Sequence, residues 1–290
     1  MFRGSLVALL TPFDGDRLDE AALRRMVEWH IGEGTHGIVP VGTTGESPTL
    51  SHDEHCRVIE IVVEQAAGRV PVIAGAGSNN PVEAIEYSNY AQQVGADATL
   101  HVAGYYNRPS QEGLYAHFKM LHDATELPII VYNIPPRAVV DITPATMARI
   151  AELPRIVGVK DATGDLARPW AERQLIKKRF AWLSGEDGTA VSYNVAGGQG
   201  CISVTANVAP RLCAQVQELT LAGKWEEARA LQDKLLPLHQ AMFAEPNPAC
   251  PKYGLSLLGL ASEHCRIPVV PLQEGTKARI RAAMEALELI

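Results

Sequence analysis

Short runs of consecutive apolar residues alternate with longer stretches of helical periodicity, from the start of the chain to about position 205. The runs are "SLVALLT" (5–11), "GIVPVG" (37–42), "PVIAGAG" (71–77), "ATLHVA" (98–103), "PIIVYN" (128–133), "RIVGVKD" (155–161), "AWLSGE" (181–186) and "GCISVT" (200–205), eight in all. Apolar on both parities, they predict strands covered on both faces, as in a parallel sheet. The intervening segments, such as "DEAALRRMVEWHIGEG", "SHDEHCRVIEIVVEQAAG" and "NPVEAIEYSNYAQQVG", show an acidic or capping residue at one end and glycine at the other. A helix after each of eight strands favours an α/β fold, a closed (β/α)8 TIM barrel, over an open doubly wound sheet. Beyond the eighth run only helical patterns remain. We therefore expect a barrel over residues 1–225 and a C-terminal helical appendage over 226–290, with no flexible linker between them.

Composition narrows the function classes. The chain has 290 residues, 47% of them hydrophobic, enough for a substantial core, and a formal net charge of −7 with no lysine- or arginine-rich run. That balance argues against nucleic acid and anionic membranes as partners. No stretch approaches the roughly 20 apolar residues of a membrane span, and the apolar N-terminal patch is too short for a signal peptide, so a cytoplasmic location is expected. Five scattered cysteines without C-x-x-C spacing suggest neither disulfides nor zinc. No G-x-G-x-x-G follows the first run, which disfavours a hydride-transfer cofactor.

One residue interrupts this pattern. Lys160 ends the sixth apolar run, where an unpaired charge is expensive to bury. It must reach water, pair with a carboxylate such as Asp161, or lose its proton and act as an amine nucleophile. Taken alone, such a lysine is more often a surface group or half of an ion pair. Its company at the other strand ends changes the balance, because barrel chemistry sits at the C-terminal face. The second run leads into "GTTGES" with Thr43 and Thr44, the fourth into "GYYNRPS" with Tyr105 and Tyr106, and the fifth into "YNIPPR" with Tyr132 and Arg137. An amine, phenols, hydroxyls and one guanidinium suit a Schiff base with a keto acid, proton transfer by tyrosine phenols chained to a hydroxyl such as Thr43, and carboxylate recognition. The bland alternatives are a Gly-rich turn, packing aromatics and a solvated loop charge. His52 and His55 in "SHDEH" read as part of a capped helix start rather than as metal ligands.

"GTTGES", "YYNRPSQEGLY", "YNIPPR", "GVKDAT", "SGED", "ISVTAN" and "EPNP", in this order, closely resemble the dihydrodipicolinate synthase (4-hydroxy-tetrahydrodipicolinate synthase) family, within the pyruvate-dependent class I aldolases that include N-acetylneuraminate lyase. The resemblance implies a Schiff-base lyase of lysine and diaminopimelate biosynthesis that condenses pyruvate with L-aspartate 4-semialdehyde, without cofactor or metal. It assigns imine formation to Lys160, proton shuttling to Tyr132, and a relay to Thr43 and Tyr106, with Tyr105 and Tyr106 near a subunit interface. Thr44, Gly185 and Ile202 would hold pyruvate, and Arg137 the carboxylate of the second substrate. It further implies a homotetramer built as a dimer of dimers, and an L-lysine inhibitor site formed by His52, His55, Asn79, Glu83 and Tyr105. The double threonine and Arg137 favour the synthase over the lyase, since a guanidinium recognises a carboxylate through two bonds. Gly104, where proline is usual, and Pro136, Ala138 and Val139 around the arginine depart from the common pattern at the rim. A paralogous aldolase or hydratase for another 2-keto acid is therefore the alternative enzyme. A keto-acid or lysine sensor without turnover is the non-enzymatic one.

Overall fold

The computed structural model describes residues 2–290. Its frame is a ring of eight parallel strands: β1 (Gly4–Ala8), β4 (Gly37–Val39), β5 (Ile73–Gly75), β6 (Ala98–Val102), β7 (Ile129–Asn133), β8 (Ile156–Asp161), β9 (Ala181–Ser184) and β10 (Gly200–Ser203). The order β4-β1-β10-β9-β8-β7-β6-β5 is closed by the Ile38–Val72 bridge, with Gly75 N–H donating to Pro40 O at 3.0 Å. The expected TIM barrel is thus present. A hairpin of β2 (Phe13–Asp14) and β3 (Arg17–Leu18), turning at Gly15 with φ 57°, was not among the sequence expectations. Its Asp14-Gly15 dipeptide is a turn signal of the favoured kind.

Helices α1 (Glu20–Gly32), α2 (His52–Ala66), α3 (Pro81–Val94), α4 (Gln111–Ala124), α6 (Pro144–Ala151), α7 (Arg168–Leu175), α8 (Ala190–Val195) and α9 (Pro210–Leu221) surround the ring, and α5 (Pro135–Ala138) is a single turn after β7. Their starts follow the sequence: Ser51 and Glu54 form a reciprocal capping box, and Asn80 and Thr143 cap α3 and α6 ahead of Pro81 and Pro144. None is long and apolar enough to cross a membrane among the described residues.

Side-chain alternation divides each strand between two cores. Ile130 and Tyr132 join Leu6, Leu183 and Ile202 inside the ring, whereas Ile129, Val131 and Val159 face the helices with Phe118 and Trp182. The helices α10 (Trp225–Ala241), α11 (Ala249–Leu257) and α12 (Glu274–Glu285) build a third core from Leu235, Leu238, Ile280 and Met284, anchored to the barrel by Val204 and Val208. Each such fully buried side chain contributes roughly 2 kcal/mol, so this segment is held firmly over the loops that follow β4 and β10.

Candidate active site

Lys160 and Tyr132 are register partners on the neighbouring strands β8 and β7, and both project into the ring, 6% and 7% exposed. Lys160 Nζ lies 4.2 Å from the centre of the Tyr132 ring. It makes no ion pair or hydrogen bond among the described residues. Gly185, directly after β9, leaves space for it: a Cβ there would approach Lys160 Cε at 3.2 Å and Ala162 Cβ at 2.8 Å. Ile202 closes the rear of the ring interior, fully buried.

Asp161 cannot serve as the partner of Lys160, because the next residue of a strand faces the opposite side. It belongs to a polar cluster on the outside of the same two strands. There Asn133 Nδ2 donates to Asp141 Oδ1 at 2.8 Å, and Asn133 Oδ1 accepts from Ile142 N–H at 3.2 Å. The buried guanidinium of Arg168 bonds Asp141 at 2.9 Å and Glu172 at 3.2 Å, and Trp182 Nε1 donates to Glu172 at 3.2 Å. Burial pushes the Glu172 carboxyl up to about 7 and raises that of Asp161. One cation among three carboxylates thus sits on the outer face of β7 and β8, opposite the face that carries Tyr132 and Lys160. Sequence reasoning missed this cluster; its only local trace is the i,i+4 spacing of Arg168 and Glu172.

Above Tyr132 opens a cavity of about 220 Å³ lined by Thr43, Tyr105, Tyr132, Arg137 and backbone at Gly42 and Gly75. Its loop after β4 is tightly wound. Thr43–Gly45 form a 3-10 turn, Glu46 is left-handed at φ 56°, and Thr11 Oγ1 donates to Gly45 O at 2.7 Å. Thr44 is buried, and its Oγ1 accepts from Asn247 Nδ2 at 3.0 Å. Arg137 projects from α5, exposed and without an ion pair among the described residues, so its guanidinium is open to an anionic ligand. Of the expected site residues the cavity wall takes Thr43, Tyr105, Tyr132 and Arg137; Lys160 stands beside Tyr132 with Gly185 against it, and Thr44 and Ile202 are buried outside that wall. Tyr106 is not brought in: it is 90% exposed, at φ 68°, and absent from the cavity wall of its own chain. Gly104 packs on Pro109, whose Cγ a Cβ would meet at 3.0 Å.

Next to the cavity, His52 and His55 stack on Tyr87, a residue the sequence did not single out, with Glu83 and Tyr105 also close to it; Asn79 lies on the neighbouring turn. The rings of His55 and His52 stack on Tyr87 at 3.8 and 5.1 Å, and His55 Nε2 donates to Gly75 O at 2.8 Å. Burial lowers the His55 imidazole to about 4 and pushes the Tyr87 phenol up to about 12. Glu83 accepts from Ser78 Oγ at 2.5 Å, and Asn79 O accepts from Asn107 Nδ2 at 3.0 Å, which ties the tyrosine loop to the turn before α3.

The chain is similar to known proteins along its whole length. The model of the Dihydrodipicolinate synthetase family matches residues 1–287. The chain is 61% identical over 290 residues to a 4-hydroxy-tetrahydrodipicolinate synthase of Ruegeria pomeroyi, covering 100% of both chains. It is similar to the crystal structure of a chloride-inhibited dihydrodipicolinate synthase from Acinetobacter baumannii complexed with pyruvate, with TM-score 0.97, 44% identity and 100% of both chains covered. A synthase from Cyanidioschyzon merolae with lysine bound superposes with TM-score 0.97 at 34% identity, over 100% of this chain and 99% of that one.

Proposed function

The chain belongs to the dihydrodipicolinate synthetase family, and from that premise we propose that Lys160 is the amine on which its product is assembled. The chain is a lyase that condenses pyruvate with L-aspartate 4-semialdehyde to 4-hydroxy-tetrahydrodipicolinate, a step of lysine and diaminopimelate biosynthesis. The observation that carries the residue assignment is a lysine inside the ring with no carboxylate beside it and a phenol at its side.

Lys160 Nζ attacks C2 of pyruvate, and water leaves to give a protonated imine. The iminium draws electrons from C3, so a C3 proton departs and an enamine forms; no metal is needed for this polarisation. Enamine C3 then attacks the aldehyde carbon of the second substrate, whose oxygen takes up a proton. The amino group of that substrate next adds to the imine carbon, and Lys160 leaves as the ring closes. Tyr132 and Thr43 carry the protons, Thr44 holds the pyruvate carboxylate between Gly185 and Ile202, and Arg137 binds the carboxylate of the semialdehyde. One water is released for each pair of substrates joined.

Two further roles complete the reading. Tyr106 reaches the cavity of a second copy across a tight dimer interface within a homotetramer; its exposure and left-handed backbone support this, and activity that is unchanged in a monomeric form would refute it. The cluster around Tyr87 takes free L-lysine, with Glu83 meeting the ammonium and Tyr105 and Asn79 the carboxylate end; calorimetry without heat at millimolar lysine would count against it. The protein works in the cytoplasm, where its five unpaired cysteines stay reduced. The central test is turnover: pyruvate and the semialdehyde supplied together, with the product consumed by a coupling reductase. Steady product formation is expected, and none with either substrate alone. Pyruvate adduct without condensation would overturn the choice of second substrate.

A further inference from the structure

We propose that Asn247, in the C-terminal appendage, is a positioning residue for the pyruvate half-reaction, setting the direction in which the Thr44 hydroxyl donates. This rests on the reading of Thr44 as the holder of the keto-acid carboxylate. A threonine hydroxyl has one proton and two lone pairs, and its rotor is free unless a neighbour fixes it. Here the Asn247 carboxamide donates to Thr44 Oγ1 at 3.0 Å, across 203 residues of sequence. With a lone pair so engaged, the proton of Thr44 must point elsewhere, and the keto-acid carboxylate assigned to this residue is the acceptor it suits.

The surroundings hold both partners still. Thr44 is 4% exposed. The left-handed Glu46, two residues on, receives the Lys252 ammonium on Oε1 and the Arg266 N–H on Oε2 at 2.9 Å. Arg266 Nη1 donates to Thr49 O at 2.7 Å, and Lys252 Nζ to His264 O at 2.7 Å. The "GTTGES" loop and the segment 247–266 are thereby tied together, and the side-chain bond that reaches Thr44 from that segment comes from Asn247. The carboxamide also leaves its Oδ1 buried with no partner among the described residues. A buried unpaired acceptor is destabilising, and a leucine would fill the same space without that penalty. Only a donor at this position explains an asparagine: an aspartate would take the Thr44 proton for itself and set a negative charge beside the incoming carboxylate.

The test is the pyruvate dependence of turnover and of borohydride trapping in wild type, Asn247→Asp, Asn247→Leu, Thr44→Val and the Asn247→Leu/Thr44→Val double variant. Asn247→Asp should raise KM for pyruvate roughly tenfold or more, with KM for the semialdehyde moved less than about threefold. Asn247→Leu should raise it about three- to tenfold, and the double variant should be no worse than Thr44→Val, because both changes remove one function. Should the aspartate variant fail to fold, the leucine variant and the double-mutant comparison decide the matter alone. A wild-type pyruvate KM in Asn247→Asp or Asn247→Leu, or penalties that multiply in the double variant, overturns the proposal. Failure of wild type itself to trap pyruvate would instead overturn the underlying assignment of function.

Discussion

Two lysines are buried in this molecule, and they have opposite surroundings. Lys252, 1% exposed on α11, pairs with Glu46, donates to His264 O at 2.7 Å and stands 4.2 Å above the ring of Phe13. Lys160, 6% exposed on β8, stands 4.2 Å above the ring of Tyr132 and has no carboxylate. The aromatic contact is the same; the countercharge is the difference. Burial lowers the pKa of the Lys252 ammonium, while Glu46 works against it, so the pair ties the appendage to the "GTTGES" loop as a fixed charge. Burial alone does not make an amine reactive. On the proposed reading, a phenol beside the amine in place of an acid does.

Breaking each lysine separately should show this. Lys160→Ala should lower kcat by about a thousandfold or more in the coupled assay, since the covalent route is lost, while its thermal unfolding midpoint stays close to wild type. A large loss of stability with residual activity would contradict the contrast. Lys252→Met should do the reverse. It leaves the Glu46 carboxylate buried without its cation, at a cost of about 3–5 kcal/mol in urea unfolding, and a second change, Glu46→Leu, should restore much of that. If the single variant unfolds like wild type, Lys252 is not the structural member of the two.

A smaller effect sharpens the comparison for other buried groups. His30 and His101, both fully buried and without a carboxylate partner, are pushed down to about 3 by desolvation. The unfolded chain binds their protons near pH 6.5 and the folded chain does not. Their contribution is therefore complete above pH 6.5 and is lost as pH falls toward 3. Each should remove roughly 1–2 kcal/mol of stability between pH 6.5 and 5. Urea titrations at these two values check it; equal midpoints would refute the account.

How much of this could be read in the chain follows from the range of each interaction. The eight strands were legible because parallel strands are apolar on both parities, although every expected run reaches past its strand, most of all 5–11, 37–42 and 71–77 against β1 (Gly4–Ala8), β4 (Gly37–Val39) and β5 (Ile73–Gly75). The excess residues are apolar for another reason: Leu9, Leu10 and Val41 join the core against α1 and α2, and Ala76 packs with Cys56 and Tyr87. Lys160 was legible because a charge in such a run is costly. The fate of Asp161 was also within reach, since period two sends neighbours to opposite faces, yet the residues alone left pairing open. Asn247, Arg168 and Tyr87 were not legible. Their partners Thr44, Asp141 and His55 lie far away in sequence, and no periodicity encodes which distant loop a carboxamide or guanidinium will meet.

The most direct test of the central claim is to treat the protein with pyruvate and borohydride, measure the intact mass and map the modified peptide. One reduced pyruvate adduct per chain is expected at saturating pyruvate, on Lys160 alone, absent from Lys160→Ala and still formed in Lys252→Met/Glu46→Leu. An adduct on Lys252 or on a surface lysine, or none at all, would contradict the claim that an unpaired amine inside the ring carries the chemistry.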